Sequence, residues 1–107
     1  MKKLKPEDIY TNDQGWQSKI QIRPINKEVI NFLLNEIAKR KDIHIFKEKK
    51  LKTGIDFYVT NQKVARTLGK KLKDRFKGKL KITKTIYGRD RLTSKDIYRG
   101  TVCFRLE

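Results

Sequence analysis

Between residues 16 and 106 the apolar residues recur alternately every second and every 3.6 positions, and this switching of period limits the chain to an α+β arrangement. Ile20 and Ile22 alternate with Lys19, Gln21 and Arg23, as in a strand with one wet face, and Pro24 ends the run. Asn26 is placed to cap a helix reaching about Lys41, with Ile30, Leu33, Leu34, Ile37 and Ala38 on one side. Asp42 breaks that helix, and residues 43–48 read as a second strand. Thr53-Gly54 turns the chain into a third, where Ile55, Phe57 and Val59 share a face. Asn61 caps a second helix whose stripe is Val64, Ala65, Leu68, Leu72 and Phe76, and Gly78 stands where a left-handed residue closes a helix. Residues 80–87 and 101–106 complete the set as a fourth and a fifth strand.

The order strand, helix, strand, strand, helix, strand matches the ferredoxin-like split βαβ layout, two helices packed on one face of an antiparallel sheet. The fifth strand is expected to pair with the fourth as a hairpin across Gly88 to Gly100. Residues 1–15 hold Pro6, Asn12, Asp13 and Gly15 without a sustained apolar pattern and read as an irregular arm. Residues 16–107 form a single domain, which the length of 107 residues allows.

Charge decides what such a domain meets. Twenty-eight Lys and Arg oppose twelve Asp and Glu, a net charge of +16. Self-repulsion on that scale is relieved by a polyanion, and nucleic acid supplies one whose released counterions drive association. A heat-adapted surface would raise Glu along with Lys, which has not happened here. No run of about 18 apolar residues exists to cross a membrane, and Glu7 and Asp8 interrupt what begins like a signal sequence. The single Cys103 excludes an internal disulfide and a multi-cysteine zinc site, which fits a reducing, cytoplasmic setting.

If both helices cover the face of Ile20, Ile22, Ile55, Phe57, Val59, Leu80, Ile82, Val102, Phe104 and Leu106, the opposite face is open. Alternation places Lys19, Gln21, Arg23, Phe46, Tyr58, Lys81, Thr83, Thr85 and Arg105 there. Cations interleaved with the Phe46 and Tyr58 rings suit RNA, because ammonium and guanidinium groups meet phosphates while rings stack on bases. A second basic row follows the second helix through Lys63, Arg66, Lys70, Lys73 and Lys77. The stretch from Gly88 to Gly100 is long for a hairpin loop and carries Arg89, Arg91, Lys95 and Arg99, a candidate finger for folded RNA. The candidate RNA-binding residues are therefore Lys19, Arg23, Phe46, Tyr58, Arg66, Lys70, Lys73, Arg89, Arg91 and Arg99.

Catalysis finds no support. His44 is the sole histidine and has no acid or nucleophile partner in the pattern. No carboxylate cluster suggests a metal-dependent nuclease, and no glycine-rich phosphate loop precedes a helix. Neither a metal nor a cofactor is expected.

At Gly54-Ile55-Asp56-Phe57-Tyr58 the chain resembles the nonsense-mediated-decay protein three family, the export adaptors of the large ribosomal subunit. Residues 20–23 and the helix after them, Lys47-Glu48, Ala65, residues 91–96 and the closing 101–106 resemble it in the same order, over about residues 19–106. Members of that family join late large-subunit precursors on the face that meets the small subunit. The resemblance implies a ribosomal-RNA-binding role in maturation or protection of that subunit, without enzymatic activity. The family's Cys-x-x-Cys zinc ribbons have no counterpart in this sequence, so neither zinc nor export is carried over. The expected partner is ribosomal RNA on the large subunit, bound by a protein that is monomeric when free. The competing reading is a protein-interaction module that docks an acidic assembly factor.

Overall fold

A computed structural model of the chain describes residues 10–11, 16–89, 92 and 96–107. Its elements are β1 (Ser18–Arg23), α1 (Lys27–Ala38), β2 (Ile45–Leu51), β3 (Gly54–Val59), α2 (Gln62–Arg75), β4 (Gly78–Arg89) and β5 (Asp96–Leu106). Both helix starts follow from their caps. The Asn26 side chain accepts from the backbone N–H groups of Glu28 and Val29, and that of Asn61 from Val64, satisfying donors the helix itself leaves unmet. The first helix stops at Ala38, short of the expected Lys41.

The two helices lie on one face of a five-stranded sheet ordered β2-β3-β1-β5-β4. Ile20, Ile22, Phe57, Val59, Val102 and Phe104 from the sheet meet Val29, Leu33, Ile37, Ala65, Leu68 and Leu72 from the helices in one core. Phe57 and Phe104 are its largest fully buried side chains. Gly69 lets α2 settle onto the sheet, since a Cβ there would stand 2.5 Å from Val102 Cγ1 and 3.0 Å from Leu80 Cδ1.

The α+β class and the βαββαβ frame hold, but the sheet is mixed rather than antiparallel throughout. β5 does not flank β4 on the outside; it lies between β4 and β1, antiparallel to the former and parallel to the latter. Burial explains the order. β5 contributes Val102 and Phe104, both sealed from solvent, whereas β4 is lysine-rich and leaves Ile82 exposed. Lysines tolerate a sheet edge and discourage pairing with other chains. The hairpin also differs from the expected loop, for its ladder continues to the Arg89–Asp96 pair, so residues 88–89 and 96–100 of that stretch are strand. Gly78 is not a left-handed helix terminus, since no glycine among the described residues has a positive φ. It opens β4 instead, where a Cβ would meet Arg105 O at 2.5 Å and the Phe104 ring at 2.6 Å.

On the far edge, Thr11 donates its backbone N–H to Ile45 O at 2.9 Å and Tyr10 bridges Ile45 in parallel. The Tyr10 hydroxyl donates to the Glu48 carboxylate. Burial first, and then Glu48, pushes that phenol above its ordinary range, so it stays neutral and keeps its proton for the bond.

One polar contact is built into the sheet. Arg23 Nη2 donates to Asp56 Oδ1 at 2.7 Å, with side chains 13% and 8% exposed, and Arg23 Nη1 reaches Ile22 O and Ile55 O. Gly54 makes room for it, because a Cβ there would lie 2.0 Å from Ile22 O and 2.7 Å from Arg23 Cδ. Removing one partner of such a pair strands a buried charge, which costs about 3 kcal/mol or more. Arg23→Ala should therefore lower unfolding free energy by about 3 kcal/mol in a urea titration, and Gly54→Ala by a similar amount. Arg23→Met combined with Asp56→Leu should recover most of the loss; no recovery would show that the pair is not what these residues supply.

Candidate nucleic-acid interface

The register sorts the strand residues. Lys19 lies opposite Tyr58 and Thr101, Gln21 opposite Asp56 and Cys103, and Arg23 beside Arg105, all on the face away from the helices. β4 adds Lys79, Lys81, Thr83 and Thr85, and β5 adds Arg99. On β2 the ladder passes directly from Ile45 opposite Val59 to Lys47 opposite Tyr58. This bulge shifts the alternation by one residue and places Lys47 and Lys49 on the open face, where an unbroken strand would have turned them toward the helices.

Three aromatic rings share this surface with the cations. Trp16 meets Tyr58 edge-to-face with centroids 4.9 Å apart. Lys47 Nζ stands 4.5 Å from the centre of the Tyr58 ring and 6.0 Å from that of Phe46. Lys19 Nζ lies 5.7 Å from the Tyr58 centroid, and the Arg99 guanidinium lies 3.9 Å from that of Trp16.

Magnitudes separate cations available to a ligand from those already committed. A cation over a ring at an exposed site is held by about 0.5–1 kcal/mol. A charge-assisted hydrogen bond to a phosphate is worth about 1.5–3 kcal/mol, so Lys19 and Lys47 can be redirected at small cost. Arg23 cannot, because leaving Asp56 unpaired costs more than a phosphate contact returns. Asp56 is the acid that the ladder puts in the middle of this face, and Arg23 neutralises it. Along the helices the cations are interspersed with acids: Glu36 on α1 lies 3.6 Å from Lys39 and 3.3 Å from Lys71, while Glu28 and Asp74 are exposed.

The ten residues proposed from the sequence thus do not form one patch. Lys19, Phe46, Tyr58 and Arg99 come together on the open sheet face. Arg23 is there too but serves the framework. Arg66 stands half-buried on the flank of α2, and Lys70 and Lys73 are exposed on that helix, in the layer across the sheet. Arg89 ends β4 opposite Asp96; its side chain, and the whole of Arg91, lie outside the described residues. Trp16 and Lys47 complete the cluster without having been selected. The bulge that turns Lys47 leaves no mark in the apolar pattern, and Trp16 precedes the strand, where alternation says nothing about direction.

Among the described residues no group of three or more His, Cys, Asp and Glu side chains is placed to hold a metal, and no helix is long and apolar enough to cross a membrane. His44 donates its backbone N–H to Thr60 Oγ1 at 2.9 Å, and Cys103 is half-buried between Gln21 and Lys81.

Fold and face together define a small basic α+β domain with a cation-rich sheet surface that no described helix or strand covers. The family model for the second domain of NMD3 matches residues 15–106, and the chain belongs to the NMD3 family, the one that Gly54 to Tyr58 resemble. That family is linked to the large ribosomal subunit and its export. A search of the curated proteins finds no match.

Trp16 is the single tryptophan, so its emission reports on this surface. Tyr58→Ala removes its ring partner and should shift the emission to longer wavelength while costing about 1 kcal/mol of stability. An unchanged spectrum would mean that Tyr58 does not position the indole.

Proposed function

We propose that this chain is a non-enzymatic ribosomal-RNA-binding protein that acts on the large subunit in the cytoplasm, in its maturation or in association with it. The observation that carries the reading is the open sheet face, where Lys19, Lys47, Lys49, Lys81 and Arg99 surround Trp16, Tyr58 and Phe46, and where Asp56 is neutralised by Arg23. Family membership supports the ribosomal setting. In this reading Lys19, Lys47 and Arg99 meet phosphates, and Tyr58, Phe46 and Trp16 offer faces or edges to unpaired bases. Arg66, Lys70 and Lys73 form a second basic row in the helical layer, and Arg89 and Arg91 extend the charge toward the end of the hairpin. No step of chemistry is assigned to any of them.

An acidic assembly factor would also be attracted by such a face, but rings among cations favour a ligand with both phosphates and bases. The two are separated by titrating a structured ribosomal RNA fragment and an acidic polypeptide at matched salt. RNA affinity should fall by about a thousandfold between 50 and 200 mM salt if about six phosphates are engaged. Lys19→Ala with Lys47→Ala should reduce the salt slope by about two, one for each lost contact. Salt-insensitive binding, or equal loss of both ligands in the double variant, would defeat the reading.

A further inference from the structure

A cleft of about 220 Å³ opens on the helix side of the sheet, where the first turns of α2 cross the β4–β5 hairpin. Gln62 and Arg66 form one wall, Lys84 the other, with Ser18, Gly100 and Ile82 between them. Among the described residues its lining includes two cations and no acid. Two polar groups at this cleft lack good partners. Ser18 is 0% exposed, and among the described residues its hydroxyl makes one bond, 3.5 Å long, to Lys19 O, the weak limit of hydrogen-bond geometry. Gln62 Oε1 is buried with no hydrogen-bond partner among the described residues. Buried polar atoms are nearly always satisfied, so a pair left short beside two cations points to something that occupies the cleft. A water molecule would satisfy the polar atoms but would not account for the unopposed charge.

The floor continues outward as an apolar strip. Beyond Ile82, which is 38% exposed, Ile86 lies opposite Tyr98 in the ladder, at 61% and 39% exposure. Lys84 Nζ sits 4.6 Å from the centre of the Tyr98 ring, at the junction of the strip and the cleft. A cleft of about 220 Å³ flanked by cations and joined to a ring and two aliphatic side chains has the polarity that a nucleotide, part phosphate and part base, would match.

We propose that this cleft holds a single nucleotide of an unpaired RNA segment, its phosphate between Arg66 and Lys84 and its base on Tyr98 and Ile86. The Ser18 hydroxyl donates to a phosphate oxygen, and the Gln62 amide, whose N and O ends are interchangeable by rotation, turns its NH₂ inward. Gly100 keeps the floor open, since a Cβ there would lie 3.5 Å from Ser18 Oγ and 3.8 Å from Gln62 Oε1. The inference rests on the RNA-binding reading for the source of the nucleotide, but its site is on the other face of the sheet. RNA would then engage the hairpin from both sides.

The test is a set of titrations of ¹⁵N-labelled protein with 5′-AMP, inorganic phosphate and a short single-stranded RNA. AMP and the oligonucleotide should both move the amide signals of Ser18, Gln62, Arg66 and Gly100, and AMP should do so at lower concentration than phosphate. Arg66→Gln with Lys84→Gln should weaken oligonucleotide binding about tenfold, with the Lys19 and Tyr58 signals still responding to RNA. Phosphate acting as strongly as AMP would overturn the nucleotide assignment. An oligonucleotide that moves Lys19 and Tyr58 but leaves the cleft still would overturn the cleft and spare the open-face reading. RNA that moves neither set would overturn both.

Discussion

Asp56 is a carboxylate in the middle of a sheet face and almost without solvent, a position that is expensive unless a cation answers it. Arg23 does so from the neighbouring strand, and Gly54 clears the space its side chain needs. The Gly-Ile-Asp part of the motif that marks the family is thereby a structural device. Its consequence reaches past stability, because the pair removes the negative charge from the centre of the open face. Lysines on β1, β2 and β4 then surround a neutral middle. An anion approaching that surface meets attraction without a repulsive centre.

The elements themselves were legible because each is governed by local rules. Two asparagines start the helices through their own side chains, and alternation in β1 and β3 separates Ile20, Ile22, Phe57 and Val59 from Lys19, Gln21 and Tyr58. The order of the strands was not, since pairing β5 with β1 depends on which of two distant strands buries more. Gly78 misled for a related reason. A glycine after a helix signals a left-handed cap in the sequence, whereas this one answers to the Phe104 ring, 26 residues later by number. The site was legible in kind and in part. Alternation placed Lys19, Phe46 and Tyr58 on the open face, whereas Arg99 was expected in a loop finger and lies in β5 over Trp16, and the bulge at Ile45 to Lys47 turned one more lysine onto the face. A bulge changes direction without changing composition, so no periodicity records it.

The two basic surfaces are not equivalent. On the open face Lys19 and Lys47 rest against the Tyr58 ring and can leave it at little cost, which suits a ligand whose phosphate spacing varies. On the helix side, Arg66 and Lys84 flank a cleft with underused polar atoms, which suits one group of defined shape. β5 separates them, with Arg99 facing Trp16 on one side and Gly100 flooring the cleft on the other. This strand, paired with β1 as well as with β4, is what brings both surfaces to one hairpin.

Lysine acetylation of the protein, alone and bound to large-subunit particles, addresses the central claim most directly, with protection read at each residue by mass spectrometry. Lys19, Lys47, Lys49 and Lys81 should be shielded on the particle, while Lys27, Lys39 and Lys41 in and after α1 stay as reactive as in the free protein. Protection spread evenly over both sets, or confined to the α1 lysines, would contradict the assignment of the open sheet face as the surface that meets RNA.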